Sequence, residues 1–300
     1  VEKPIVSGIL LIDKPAGLTS FEVVRRARRA LQIKKIGHLG TLDPFATGLL
    51  PLCLGEATKL VPFLLPEPKT YRATVKLGVE TDTLDLTGTV TAQSDGRPSP
   101  AEVYGAAARF RGEIEQLPPM YSAVHHQGRR LYELARRGET VERKPRRVTI
   151  YELKVEEVAG DTVTLTVECS QGTYIRTLAA DLGQALGCGA HLAALRREAV
   201  GTFRVEEALP LAALSASPEE VQSRIIPLKD CLPGLKPIWV GAEEARQLRQ
   251  GRPLDCPENG LSPGEQVKVL TDTELVAVAR VRHLDPQTVI VPVRVFGGGE

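Results

Sequence analysis

The stretch Gly37-His38-Leu39-Gly40-Thr41-Leu42-Asp43-Pro44-Phe45-Ala46-Thr47-Gly48 packs three glycines, one histidine, one carboxylate and one proline into twelve residues, just before the apolar run Leu49-Leu50-Pro51-Leu52-Cys53-Leu54. Glycine and proline at this density argue against a regular helix or a central strand, so the stretch reads as a shaped loop. Pro44 disfavours helical geometry at Asp43, and Gly40 and Gly48 permit turns that a Cβ would block. The loop holds one acid in one place. The plainer alternative is an Asp-Pro turn that only stops a helix.

The rest of the chain narrows the setting. Its 300 residues suffice for one large domain and one small one. Hydrophobic residues at 42% and charged residues at 25% describe an ordinary globular chain, and a formal net charge of +1 announces no polyanionic partner. The distribution of charge does more: from Arg129 to Arg147 eight Lys or Arg face three Glu, whereas from Pro237 onward acids outnumber bases nine to seven. Aromatic residues at 4% are too few for a surface that stacks many bases, which favours contact with nucleic-acid shape and phosphate. The five cysteines, Cys53, Cys169, Cys188, Cys231 and Cys256, are widely spaced and odd in number, and fit neither a disulfide framework nor a zinc site. No Walker loop and no dinucleotide fingerprint occurs, so no cofactor and no metal is expected. No apolar run reaches membrane-spanning length and Gly8 to Ile12 is too short for a signal-peptide core, which gives a cytoplasmic expectation.

In order along the chain, Ile9-Leu10-Leu11-Ile12 is a strand ending in the turn Asp13-Lys14-Pro15-Ala16-Gly17. Thr19 and Glu22 form a capping-box pattern for a helix from Ser20 to about Gln32, with Val23, Val24, Ala27, Ala30 and Leu31 on one face and four arginines on the rest, an ordinary solvated face. Glu56 to Leu64 reads as a short helix, Lys69 to Gly78 as a strand and Pro100 to Phe110 as a helix. Leu117 to Arg130 follows neither period and leaves the fold as an excursion, followed by a short helix over Leu131 to Arg137 that Gly138 ends. His125 and His126 have no partner at metal-ligand spacing and read as surface residues. Arg147 to Val158 and Asp161 to Cys169 make a hairpin about Ala159-Gly160. A helix then runs to Leu186 with Arg176 in its first turn, an end that prefers acids, so this arginine needs a specific anionic partner. From Ala208 to Pro233 the chain is connector-like, with Ser217 capping a short helix. The tail has a helix from Ala242 to Gln250 and three strands, with Val289, Val291, Val293 and Val295 alternating, economically a small β-barrel.

The string GHLGTLDPFATGLL resembles the signature of the pseudouridine synthases that modify the T-loop uridine of tRNA, the pseudouridine-55 synthases. With it, three further motifs stand in that family's order: ILLIDKPAGLTS before it, then KTYRATVKLGVETDTLDLTG, and GTYIRTL with AHLAALRREAVGTF. The resemblance implies three catalytic residues: Asp43 as the nucleophile, Arg176 paired with it, and Tyr71 stacking on the target base and helping to move a proton. It further implies that His38 enters the RNA loop where the extruded base had been, that Leu195 packs against the target nucleotide, and that Tyr174 and Lys14 line or shape the substrate site. Asp82 and Asp85 gain nothing beyond turn capping. Arg129, Arg130, Arg143 and Arg146 belong to a basic segment resembling an insertion that closes over the RNA arm.

These expectations amount to a mixed α/β (α+β) fold. Residues 1–232 form a catalytic domain on a largely antiparallel sheet, with an RNA-clamping insertion at about 112–147, and residues 233–300 form a PUA-like β-barrel. The expected activity is cofactor-free isomerisation of a tRNA T-loop uridine by base flipping, in a monomer needing no protein partner. Two alternatives stay open: the catalytic subunit of a guide-RNA pseudouridylation particle, and a tRNA-folding RNA-binding factor.

Overall fold

The computed structural model describes residues 7–64, 67–122, 125–126, 128–135, 137–139, 141–216, 218–256, 260–284 and 287–297. Ser217 and the side chain of Arg130, both singled out in the sequence, lie outside what it describes, as do the side chains of His125 and His126.

An eleven-stranded sheet organises the chain. Its labelled elements are β1 (Gly8–Lys14), α1 (Ser20–Leu31), β2 (Ile36–His38), β3 (Thr47–Leu54), β4 (Lys69–Leu77), α2 (Pro100–Ala108), β5 (Gly112–Gln116), β6 (Arg146–Ala159), β7 (Thr162–Cys169), α3 (Ile175–Ala185) and β8 (Ala190–Val200). From the short strand Leu209–Pro210 the order runs β1, β3, β8, β4, β7, β6, β5, and all neighbours in it are antiparallel except Leu209–Pro210 with β1 and β3 with β8. The alternation read in Lys69 to Gly78 holds: every second residue of β4 is buried, including Tyr71, Ala73, Val75 and Leu77. Those side chains pack with α2 and α3 into one core, while Val23, Val24 and Ala27 of α1 pack on β1 and β3 in another. Burying a side chain of this size contributes about 1.5–3 kcal/mol relative to exposure.

α1 begins with the capping box at Thr19 and Glu22 and ends on Gln32 in the left-handed conformation. The Glu56–Leu64 helix is instead a 3-10 helix, Gly55–Leu60. The opening stretch is a loop only over its middle. Gly37 and His38 lie in β2, and Thr47 and Gly48 begin β3. β3 is forked along one edge. Its first residues pair with β8, Arg196↔Thr47 and Arg197↔Gly48, whereas its last three pair with β2, Ile36↔Leu54 to His38↔Leu52. Residues 39–46 span that fork. Segment 117–145 leaves the sheet after β5 and returns at β6, which pair directly, Arg146↔Gln116.

The tail has β9 (Lys236–Trp239), α4 (Ala242–Arg249), β10 (Leu254–Asp255), β11 (Gln266–Leu270), β12 (Leu275–Leu284) and β13 (Gln287–Val295). Five strands form one sheet in the order β9, β11, β12, β13, β10, where three had been expected. It is a curled half-barrel: among the described residues β9 and β10 do not pair to close it. The simple valine alternation also breaks. A bulge between the pairs Ala279↔Pro292 and Val278↔Arg294 takes Val293 out of register and leaves it exposed, and Val295 beyond it packs against the core that holds Ile290. One face of this sheet packs on α4; the other, through Leu270, Leu275, Val278 and Phe296, shares a core with Ile9, Leu11, Leu39, Leu49 and Cys53 of the large sheet.

Candidate active site

The loop at the fork is held by side chains that take its backbone polar groups one by one. Ser20 Oγ sits between the amide and carbonyl of Leu42, at 2.9 and 3.2 Å. Lys14, fully buried, donates from Nζ to Leu18 O at 2.7 Å, Pro15 O at 3.0 Å and Pro44 O at 3.2 Å, and Gly17 N reaches Pro44 O at 2.8 Å. Ala46 N closes the turn onto Asp43 O at 3.1 Å. A backbone satisfied in this way cannot relax without losing buried hydrogen bonds.

Asp43 therefore points where the loop dictates. Arg176 meets it side-on, Nε to Oδ2 at 3.0 Å and Nη2 to Oδ1 at 3.2 Å. The guanidinium is itself fixed from behind: Nη2 donates to Tyr121 O at 2.7 Å, Nη1 to Thr83 O at 3.2 Å, and Nη1 lies 3.6 Å from Asp85 Oδ2. The arginine side chain keeps 5% of its surface and the Asp43 side chain 32%, so the carboxylate is offered to the cleft with its counter-ion buried beneath it. Burial pushes the Asp43 carboxyl above the usual carboxylate range; Arg176 opposes that push, Asp85 adds to it, and Lys14 opposes it from farther off. The start of α3, which carries Arg176, is pinned by a reciprocal amide pair: Gln116 Oε1 accepts from Tyr174 N at 2.9 Å and Gln116 Nε2 donates to Tyr174 O at 3.2 Å.

Tyr71 is buried on β4, opposite Arg197 of β8. Burial raises its phenol, the Arg197 guanidinium pulls the other way, and the Asp43 charge adds to the rise, so the hydroxyl stays protonated at neutral pH. Leu195 lines a cleft of about 490 Å³ on the adjoining face of the sheet with Pro44, Phe45, Leu86, Arg72 and Arg196. His38, on β2, is half-buried; its Nδ1 is buried and has no hydrogen-bond partner, and burial holds the imidazole below its ordinary value, hence neutral.

The structure thus gathers Asp43, Arg176, Tyr71 and Lys14 around one loop, with Leu195 and His38 on its flanks. Of the arginines of the basic segment, the three whose side chains are described do not join them. Arg129 and Arg146 are exposed, and Arg143 is half-buried and donates to Pro118 O at 2.9 Å. Asp85 is more than a turn cap. Its Oδ1 does accept from Thr83 Oγ1 at 2.8 Å and Thr87 N at 2.9 Å, but its other oxygen faces Arg176. The sequence alone does not mark out Gln116, Ser20 or Arg197. Arg197 shares a strand face with Leu195, and both are buried; a bulge after Arg197 puts Ala199 on the other face, so strict alternation along the strand does not mark the arginine out. Among the described residues no group of three or more His, Cys, Asp or Glu is placed to hold a metal ion, and no helix is long and apolar enough to cross a membrane.

Residues 28–175 match the TruB family pseudouridylate synthase N-terminal domain, and residues 176–232 match the tRNA pseudouridylate synthase B C-terminal domain. The chain belongs to the TruB family. The join between the two matched domains, at residues 175 and 176, falls on the arginine that grips Asp43. Within the family, tRNA pseudouridine synthase B of Dechloromonas aromatica is 47% identical over 93% of this chain and 92% of its own length. The enzyme of the same description from Aromatoleum aromaticum is 51% identical over 85% of this chain and 83% of its own. Among solved structures, an H/ACA RNP bound to a substrate RNA containing 2′-deoxyuridine aligns with a TM-score of 0.74 at 28% identity, covering 97% of this chain and 85% of that one. A Cbf5-Nop10-Gar1 complex aligns with a TM-score of 0.73 at 30% identity, covering 97% and 84%.

Proposed function

We propose that this TruB family member isomerises a uridine in the T-loop of tRNA to pseudouridine, with Asp43 as nucleophile. The observation that carries the proposal is the carboxylate itself, partly open to the cleft and gripped side-on by a buried arginine. The reaction detaches uracil from ribose, turns it and rejoins it through carbon 5, releasing the carbon-5 proton. It needs an acid that stays charged and still while it attacks. Arg176 supplies both conditions, because it favours the anion and fixes both oxygens.

The target base has to leave its stack, at a cost of a few kcal/mol. Tyr71 is the ring on which the extruded base stacks, Leu195 packs against the same nucleotide, and Tyr174 completes the wall. His38, neutral and with a free buried nitrogen, fills the gap in the RNA loop. Arg129, Arg130, Arg143 and Arg146 clamp the phosphate backbone, and the half-barrel from residue 233 onward is a PUA-like RNA-binding domain. Phosphate contacts of this kind weaken as salt rises. No cofactor takes part, and the chain works as a monomer in the cytoplasm.

The test is tritium release from carbon 5 of uridine in a T-arm hairpin, which follows an isomerisation that leaves mass unchanged. Release by the wild type and none by Asp43→Asn is expected. No release by the wild type on bare tRNA would overturn the proposal and favour a guide-RNA particle, the setting in which the solved neighbours occur. Identities of 47–51% to curated tRNA enzymes, against 28–30% to those neighbours, favour bare tRNA. A purely tRNA-folding role would leave Asp43→Asn fully competent in cells.

A further inference from the structure

Among the described residues Arg197 is the largest fully buried side chain, and none of the ion pairs there involves it. Its neighbour Arg196 points the other way and pairs with Asp13 at 2.7 Å. A guanidinium taken out of water without a carboxylate costs several kcal/mol unless its donors are all used, so its position calls for a reason.

The donors reach both limbs of the Asp43 loop. Nη2 donates to Gly40 O at 3.1 Å and Nη1 to Thr41 O at 3.4 Å, ahead of Asp43, while Nε donates to Leu49 O at 2.8 Å, behind it. These carbonyls lie in the fork, where β3 has left β8 and ladder pairing cannot satisfy them. The backbone cooperates. Gly48 has φ +101°, and a Cβ there would meet Arg197 O at 2.3 Å; Gly40 has φ +83°, and a Cβ there would lie 3.5 Å from Arg197 Nη1. Gly48 thus lets the loop's far limb close on the Arg197 backbone, whereas at Gly40 the contact with the guanidinium is an ordinary one and Lys69 Nζ lies nearer, at 3.3 Å. The same guanidinium lies beside Tyr71 and pulls its phenol downward.

We propose that Arg197 is a positioning residue for the reaction: a buried planar fork that ties the two limbs of the Asp43 loop together and registers that loop against the strand carrying Leu195. This deepens the isomerase reading and rests on it. An ammonium at the same place keeps the charge but lacks the rigid fork, so it cannot bridge both limbs.

The test compares wild type, Arg197→Lys and Asp43→Asn on a T-arm hairpin labelled with tritium at carbon 5, by single-turnover release, hairpin affinity and amide hydrogen exchange. In folded Arg197→Lys the amides of residues 40–48 are expected to exchange at least about tenfold faster, while β4 and β8 keep their protection. The release rate per folded molecule falls about 100-fold, the scale of a 1 Å misplacement, with affinity within about threefold. A rate and loop protection both within about threefold of wild type would overturn the proposal, and so would a variant that cannot fold at all, which would make Arg197 a residue of the core alone. Loss of rate without faster loop exchange would equally overturn it. Wild type that releases no tritium defeats the isomerase reading itself, and the Asp43→Asn control separates that failure from any effect at 197.

Discussion

Arg176 grips Asp43 through two different nitrogens, Nε at 3.0 Å and Nη2 at 3.2 Å, and turns its remaining nitrogen toward Asp85 at 3.6 Å. One cation therefore lies between two carboxylates, and the cluster Asp43–Arg176–Asp85 carries one net negative charge. Asp43→Asn keeps the shape of the group and removes its nucleophilicity. Tritium release is expected to fall below detection while hairpin affinity stays within about threefold, since the interaction lost is one made in the reaction and not in binding. Residual release by this variant above the background of hairpin alone would show that another group attacks.

The two partners of the Asp43–Arg176–Asp85 cluster shift the pH dependence in opposite directions. Asp43 is pushed up by burial and held back by Arg176, and its anion is the active form, so the rate declines as pH falls through its elevated value. Arg176→Gln removes the opposing charge and moves that acid limb to higher pH; Asp85→Asn removes a repelling charge and moves it to lower pH. Both lose orientation, and a plateau rate lower by about 10- to 100-fold is expected for each. Single-turnover release measured from pH 4.5 to 8, roughly the range that spans carboxylate and histidine titration, checks the signs. Limbs that move the same way would show that Asp85 does not act through charge.

Much of this site was legible because local rules sufficed. The capping box at Thr19 and Glu22 set α1, period-2 burial set β4, and an arginine at the wrong end of a helix dipole called for an acid, which proved to be Asp43. What was not legible depends on distant pairing. Nothing local reveals that β3 forks between β8 and β2, yet that fork is why Arg197 is buried and why Gly48 must lack a side chain. Asp85 reads as a cap in the sequence because one of its oxygens is one; the other oxygen serves a residue 91 positions away in the chain. In the tail the valines alternate in sequence, but one bulge takes Val293 out of register and leaves it exposed.

Lys14 gives the loop a second, alkaline sensitivity. Its ammonium donates to three carbonyls, Pro15, Leu18 and Pro44, and burial brings its pKa down to about 8, with Asp43 resisting the fall. A neutral amine has two donors for those three acceptors. Above about pH 8 one acceptor is left without a partner, at a cost of about 1–3 kcal/mol in a buried site, and the loop loosens. The release rate is expected to decline from about pH 8 upward, and Lys14→Arg, which stays charged, to flatten that decline whatever its absolute rate. An unchanged alkaline limb in Lys14→Arg would assign it to another group.

The tail's half-barrel contributes Leu270, Leu275, Val278 and Phe296 to the core that also holds Leu39 and Leu49, the residues bracketing the Asp43 loop. A hydrophobic core shared between the half-barrel and the large sheet couples the two, so they should unfold together. Phe296→Ala removes the largest tail side chain from that core, and a loss of about 3–5 kcal/mol of stability follows from the cavity it leaves. Trp239 is the one tryptophan of the chain and lies in the tail. Its fluorescence therefore reports the half-barrel, while far-UV circular dichroism reports the whole chain. Coincident denaturant midpoints by the two probes are expected for wild type, both shifting downward together in Phe296→Ala. A fluorescence midpoint that moves alone would mean that the half-barrel folds independently, and the Asp43 loop would then owe nothing to the tail beneath it.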